Sequence, residues 1–243
     1  MKILKVKDYD DMSRKAAEFV AEKVRSNPSL NLGLATGGTP VGLYDYLIKD
    51  HYKNHTSYRH VTTFNLDEYI GLSGENPYSY RYFMNEHLFD HIDIVKANTY
   101  VPQGDGNNPE KQCIEYEKLI MKHGGVDLQI LGIGSNGHIG FNEPGTSFQS
   151  ETHITELTQS TREANARFFN HINNVPSHAI TMGIASIMRS KEILLLISGI
   201  NKKDALTQLL TGEPNENFPA SILETHPHVT LIADAEALGN AAF

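Results

Sequence analysis

The chain has a single cysteine, Cys113, among 243 residues. No intramolecular disulfide can form, and a reducing, cytoplasmic setting is the simplest expectation. Long apolar runs are also missing. The longest, Ile193 to Ile197, has strand length and falls far short of the ~18 residues expected of a membrane-spanning helix. The N-terminal stretch from Met1 to Asp8 lacks the apolar core of a signal peptide. Positive charge is scarce: 21 Lys and Arg stand against 29 Asp and Glu, a net charge of −8. That balance argues against general nucleic-acid binding, which needs a basic face to displace counterions from phosphates. It leaves room for a small anionic ligand, which a few local cations can hold. Repeats, low-complexity tracts and long Pro/Gly/Ser linkers are absent too. What is present is an ordinary globular share of apolar residues, 40% of the chain, enough for a sizeable core.

Strand-like and helix-like segments alternate along the chain. Met1–Val6 is apolar at alternate positions, and Asp8–Arg25 carries Met12, Ala16, Phe19, Val20 and Val24 on one helical face. Further strands are predicted at Leu30–Ala35, His60–Leu66, Asp127–Leu131, Ala179–Met182, Glu192–Ser198 and His228–Ala233. Helices are predicted at Val41–Ile48, Tyr78–Phe89, Pro109–Lys122, Ser160–Phe169 and Lys202–Leu210, the fourth capped by Ser160 or Thr161. Strands separated by helices indicate right-handed crossovers and a mostly parallel sheet. The expected fold class is α/β: a single doubly wound, Rossmann-like, three-layer α/β/α domain spanning residues 1–243. Ligands of such folds bind beyond the carboxyl ends of the strands.

Three strand ends carry polar chemistry. The first, Leu34-Ala35-Thr36-Gly37-Gly38-Thr39-Pro40, runs from a strand into a helix, so its backbone N–H groups can cradle an anion. It lacks the Lys-Ser/Thr ending of a P-loop; a tight turn without a ligand is the plainer alternative. The second, Phe64-Asn65-Leu66-Asp67-Glu68-Tyr69, delivers two carboxylates. Asp67 could project into the crevice as a general base, with Glu68 pointing elsewhere, although such a pair also reads as a solvated loop or helix cap. The third, Leu131 to Gly145, presents His138 and Glu143 beside Asn136 in a glycine-rich loop. An imidazole there suits proton transfer, and a nearby carboxylate would hold its tautomer; a structural histidine is the alternative. Gly132, Gly134 and Gly137 formally match the dinucleotide fingerprint, but no helix can open at the third glycine, because two more glycines and Pro144 follow.

Two basic positions complete the set. Arg167 lies in Thr161–Phe169, and Lys202 follows the most apolar strand; each also reads as a surface residue. The 12 histidines show no His-Glu-x-x-His arrangement, and His226-Pro-His228 has no further ligand at suitable spacing, so no metal is expected. Cys113 reads as core.

Together, Leu34–Pro40, Val61–Tyr69, Leu131–Pro144, Thr161–Phe169 and Gly199–Lys202 resemble the glucosamine-6-phosphate deaminase (isomerising) family. The resemblance spans nearly the whole chain, and the FNLDEY and GHIGFNEP strings are its most specific parts. It implies conversion of D-glucosamine 6-phosphate and water into D-fructose 6-phosphate and ammonia, without a cofactor or a metal. It also implies a small-molecule sugar phosphate as the only partner, with no nucleic acid or membrane, in a monomer or homo-oligomer. By the resemblance, His138 opens the pyranose ring, supported by Asn136 and Glu143, and Asp67 moves the proton from carbon 2 to carbon 1. Thr36, Gly37 and Gly38 match the phosphate loop, and Arg167 and Lys202 the side-chain clamp. Rival readings are a 6-phosphogluconolactonase, another sugar-phosphate isomerase, or a non-catalytic sugar-phosphate sensor.

Two departures from the family pattern matter. Many relatives have Asp where this chain has Asn136, so Glu143 is expected to dominate the support of His138. Allosteric relatives carry basic residues after the active loop and a longer C-terminus. The stretch Glu151-Thr152-His153-Ile154-Thr155 has no Lys or Arg, which implies hyperbolic kinetics and no activation by N-acetylglucosamine 6-phosphate.

Overall fold

The computed structural model describes residues 1–166, 169 and 171–239. The alternating N-terminal segment forms β1 (Lys2–Val6), and Asp8 accepts a bond from the Asp11 N–H to cap α1 (Tyr9–Ser26). β2 (Asn31–Leu34) leads through the Thr36–Pro40 turn into α2 (Val41–Asn54), which ends at His55 in the left-handed conformation. β3 (Thr62–Asn65) is followed almost at once by β4 (Asp67–Tyr69). α3 (Tyr80–Met84), capped by Ser79, widens into a π turn at Asn85–Phe89. β5 (Thr99–Tyr100) and α4 (Pro109–Lys122) come next, the latter with Pro at its first position and Gly124-Gly125 after its end.

The second half comprises β6 (Leu128–Leu131), β7 (His153–Glu156), α5 (Gln159–Asn165), β8 (His178–Thr181), α6 (Ile184–Met188), β9 (Glu192–Ile197), α7 (Lys203–Thr211), β10 (Val229–Asp234) and α8 (Ala235–Leu238). Among the described residues, seven strands form one sheet in the order β1-β10-β9-β6-β2-β3-β5, every pair parallel. Helices cover both faces in a three-layer α/β/α arrangement, as expected. Within β9, Ile193 to Ile197 are each at most 1% exposed, as a stretch buried on both faces of the sheet must be. No helix among the described residues is long and apolar enough to cross a membrane.

The order of the sheet locates the crevice. From β2 the chain proceeds outward through β3 to β5, then returns to lay β6 against the other side of β2. Connections from the ends of β2 and β6 therefore diverge, and a cleft opens between them.

Several elements depart from the sequence expectation. A second sheet, β4-β8-β7, is antiparallel, and Asp67 opens its first strand instead of lying in a loop. The helix expected at Tyr78 starts at Tyr80, because the Ser79 hydroxyl caps it by accepting the Tyr82 N–H. α5 starts earlier than expected: its cap is Thr158, whose side chain accepts the Thr161 N–H, so neither Ser160 nor Thr161 caps it. Lys202 lies in a 3-10 turn, Ile200–Lys202, and the helix proper begins at Lys203. Cys113 is buried, as expected, and burial pushes its thiol up to about 11.

Candidate active site

The cleft at the β2–β6 divergence has a volume of about 240 Å³. One water needs only about 15 Å³, so the space fits a small organic ligand. Thr36, Gly37 and Gly38 line it from the β2 side, Asn136 and His138 from the β6 side, and Asp67 and Lys202 close it. Seven of the nine residues singled out in the sequence thus share one cavity. Glu143 stands directly behind Asn136, buried at 7% exposure. Arg167 lies outside the described residues.

His138 carries its proton assignment in its contacts. Its Nδ1 is 2.7 Å from Asn136 Oδ1, an acceptor, so Nδ1 donates and Nε2 keeps its lone pair. The Asn136 Nδ2 in turn donates to Glu143 Oε2 at 2.8 Å, and Nδ1 lies 3.7 Å from that same oxygen. The immediate partner of the imidazole is therefore the amide, and Glu143 supplies the charge one step behind it. Burial holds the His138 pKa below its usual value; Glu143 opposes that shift and the Lys202 charge adds to it. The ring is neutral near pH 7.

Glycine lets this loop place its side chains. A Cβ on Gly134 would occupy the space of the His138 ring, and one on Gly137 would collide with the ring of Phe218. Gly140 has φ +58°, and a Cβ there would sit 3.0 Å from Thr181 Oγ1 and 3.6 Å from Asp67 Oδ2. The Gly137 carbonyl also accepts the Ala220 N–H at 2.8 Å, which braces the loop against the Pro219–Thr225 3-10 helix.

Asp67 is 6% exposed, and burial followed by the neighbouring Glu68 charge pushes its carboxyl up to about 8. Glu68 is buried as well and raised to about 7, although three backbone N–H groups oppose the shift. Those donors are Tyr69, Tyr80 and Arg81, at 2.8–2.9 Å. Glu68 does point away from the cleft, where it anchors the first turn of α3. Asp67 pairs in register with Thr181, whose Oγ1 accepts the Phe141 N–H at 3.0 Å. Thr181 thus joins the strand of Asp67 to the loop of His138.

Four features of the structure, three of them at the site, escape sequence reasoning. Thr158 and Thr161, at the start of α5, both donate hydroxyl bonds to Glu143 Oε1. Asn165, at the end of the same helix, donates to the Tyr69 hydroxyl at 3.0 Å, which accepts from the Tyr80 hydroxyl at 3.1 Å. Asp234 accepts the Gly199 N–H at 3.1 Å and the Ser198 hydroxyl, fixing the turn, with Gly199 at φ +90°, that delivers Lys202. Glu117, deep between α4 and α6, accepts from Thr152, Ser186 and Arg189, and Arg189 also pairs with Glu151 at 2.7 Å. The partners lie far apart in sequence; only the Thr158-x-x-Thr161 spacing carries a local signal, that of a helix cap. No cluster of His, Cys, Asp and Glu suited to a metal occurs among the described residues.

Comparisons with known proteins fall on this geometry. The family model described as glucosamine-6-phosphate isomerases/6-phosphogluconolactonase matches residues 7–232. A glucosamine-6-phosphate deaminase of Halalkalibacterium halodurans is 60% identical over 242 residues, covering 100% of this chain and 98% of the relative. One from a Geobacillus species is 56% identical, covering 98% and 95%. A solved monomeric glucosamine-6-phosphate deaminase matches with a TM-score of 0.96 at 48% identity, covering 98% of both chains. A 6-phosphogluconolactonase from Trypanosoma cruzi, 21% identical, matches with a TM-score of 0.82 over 100% of this chain and 97% of its own, which shows a shared fold.

Proposed function

This chain belongs to the family of glucosamine-6-phosphate isomerases and 6-phosphogluconolactonases, and from that premise we infer its chemistry. It is an enzyme of isomerising deamination: D-glucosamine 6-phosphate and water give D-fructose 6-phosphate and ammonia. The observation that carries the mechanism is the meeting, in one cleft, of a neutral imidazole, a buried carboxyl and a backbone anion cradle.

The phosphate sits on the Thr36–Gly38 turn at the start of α2, where backbone N–H groups and the helix dipole favour negative charge. Lys202 adds a point charge, and Arg167 adds a planar fork to the clamp. A sugar held at carbon 6 presents its reacting end to the protein groups, which makes their encounter effectively intramolecular.

His138 Nε2 takes the proton of the anomeric hydroxyl and returns it to the ring oxygen, opening the pyranose. The cation formed in between is stabilised through Asn136 by Glu143. Asp67 then removes the proton from carbon 2 and delivers it to carbon 1 by way of an enolamine. Abstraction needs its carboxylate, and the substrate's ammonium on carbon 2 draws the buried carboxyl toward that form. The resulting imine at carbon 2 adds water and expels ammonia, leaving the ketose. Each positioned acid or base is worth on the order of a hundred- to ten-thousand-fold in rate. The cell compartment that fits this chemistry and the lone, buried thiol is the cytoplasm.

An ammonia-release assay on glucosamine 6-phosphate tests the reading, with the N-acetylated sugar as the negative control. A lactonase needs no carbon-2 base, so turnover that survived Asp67→Asn would reject the deaminase.

A further inference from the structure

The first residue of α1 reaches the Thr36–Pro40 turn from behind. Tyr9 is the helix's opening residue, and its hydroxyl donates to the Gly38 carbonyl at 2.9 Å. The same oxygen accepts the N–H of Gly42, in the first turn of α2, also at 2.9 Å. One phenol thus uses both of its hydrogen-bonding roles on the two ends of the Gly38–Gly42 segment.

We propose that Tyr9 is a positioning residue for the substrate's phosphate, because its hydroxyl locks the Gly38–Thr39 peptide in the orientation that binds an anion. The peptide is planar and trans, so its C=O and its N–H point in opposite directions. Tyr9 holds the Gly38 carbonyl on the α1 side. The Thr39 N–H must then face the other way, and Thr39 lines the cleft whereas Tyr9 does not. A rotated peptide would instead turn a carbonyl oxygen toward the phosphate. That rotation is easiest next to glycine: Gly37, at φ +85°, and Gly38 impose little steric resistance of their own. The lock therefore has to come from outside the turn.

The surroundings are shaped to seat the ring. A Cβ on Gly42 would stand 3.1 Å from Tyr9 Cε1 and 2.5 Å from Ser13 Oγ. Glycine at 42 is what allows α1 and α2 to approach closely enough for the two bonds. Tyr46, one turn further along α2, bonds Asp10 at 2.9 Å and holds the same helix pair together. Tyr9 itself is 38% exposed, so its ring is not a core element and its hydroxyl can be removed without opening a cavity.

This inference rests on the deaminase reading for its substrate, and its test separates the two. Tyr9→Phe removes one oxygen atom. The expected result is a KM for glucosamine 6-phosphate raised about five-fold, the scale of one net hydrogen bond. The Kd for inorganic phosphate, read by calorimetry without turnover, rises by the same factor. The kcat stays at the parent value, and the melting temperature without ligand falls by no more than about 4 °C. A phosphate Kd equal in parent and variant overturns the proposal, as does a parent chain that binds no phosphate. A loss confined to kcat, or to melting temperature, overturns it too, since it would mark a structural role alone. A parent that binds phosphate but releases no ammonia would reject the deaminase reading and leave the calorimetric comparison standing.

Discussion

Asn136 Oδ1 lies 2.7 Å from His138 Nδ1, and the other end of the same amide donates to Glu143. An amide cannot rotate to serve one partner without abandoning the other. The imidazole's tautomer and the carboxylate's orientation are therefore set together, and Asn136 transmits a charge that it does not itself carry.

That arrangement orders two substitutions. Glu143→Gln removes the charge that raises the His138 pKa, so the imidazole midpoint followed by NMR moves to lower pH. Ring opening falls about ten- to a hundred-fold. Asn136→Asp places a carboxylate directly against Nδ1, moves the midpoint upward, and slows ring opening less. Equal and negligible effects of the two on ring opening would sink the ordering.

Asp67 governs the pH dependence of catalysis. In the free enzyme its carboxyl is held near pH 8, so kcat/KM rises as the pH passes through about 8. With the substrate ammonium bound, the pKa falls and the limb of kcat lies at lower pH. Asp67→Asn abolishes the limb and cuts ammonia release by at least about a hundred-fold, with KM little changed.

The same group affects stability, with a definite sign. Its folded pKa, about 8, lies above the unfolded value of 3.8, so the folded state holds the proton more tightly. The stability it contributes is full below about pH 4 and is lost progressively as the pH rises to about 8. Asp67→Asn removes that dependence. Melting curves of the parent should decline more steeply over this window than those of the variant, a steeper decline in the variant being contrary to the argument.

Gly134→Ala tests whether the loop is shaped by its histidine. The new Cβ would enter the space of the His138 ring, yet Gly134 is not among the glycines with positive φ, so the backbone itself is unstrained. The expected outcome is a kcat reduced about a hundred-fold or more, with a smaller effect on melting temperature than Gly140→Ala, where φ is +58°.

Regulation by a phosphorylated effector requires free cations. In the 151–155 stretch there is no Lys or Arg, and neighbouring Arg189 is already bonded to Glu151 and Glu117. The rate of ammonia release should follow a hyperbola in substrate and be unmoved by N-acetylglucosamine 6-phosphate. A sigmoidal curve straightened by that sugar would contradict this.

Much of the site is legible in the sequence because it is written in short stretches. The loop from Gly132 to Pro144 and the turn from Thr36 to Pro40 each carry their glycines and polar residues within a few positions, and both prove to line one cleft. α4 is read to the residue, since Pro109 starts it and Gly124-Gly125 follows its end. β4 is not legible. Three residues show no periodicity, and Asp67–Tyr69 is a strand because β8 pairs with it from more than a hundred residues away. Glu68 is readable as a carboxylate directed away from the cleft. Its service to the N–H groups of Tyr80 and Arg81 depends on a turn that folds back over it. The Asn165–Tyr69–Tyr80 chain is hidden for the same reason: its members are neighbours only in space.

The two halves of the chemistry sit on different sheets and touch through Thr181, which pairs with Asp67 and accepts the Phe141 N–H. That division bears on descent. A lineage could exchange the carbon-2 base for another residue while inheriting the His138 loop and the phosphate turn whole, and so acquire a new reaction in a single step from an old scaffold. A fold partitioned in this way offers selection two separate dials, one for opening a sugar ring and one for what happens to the open chain.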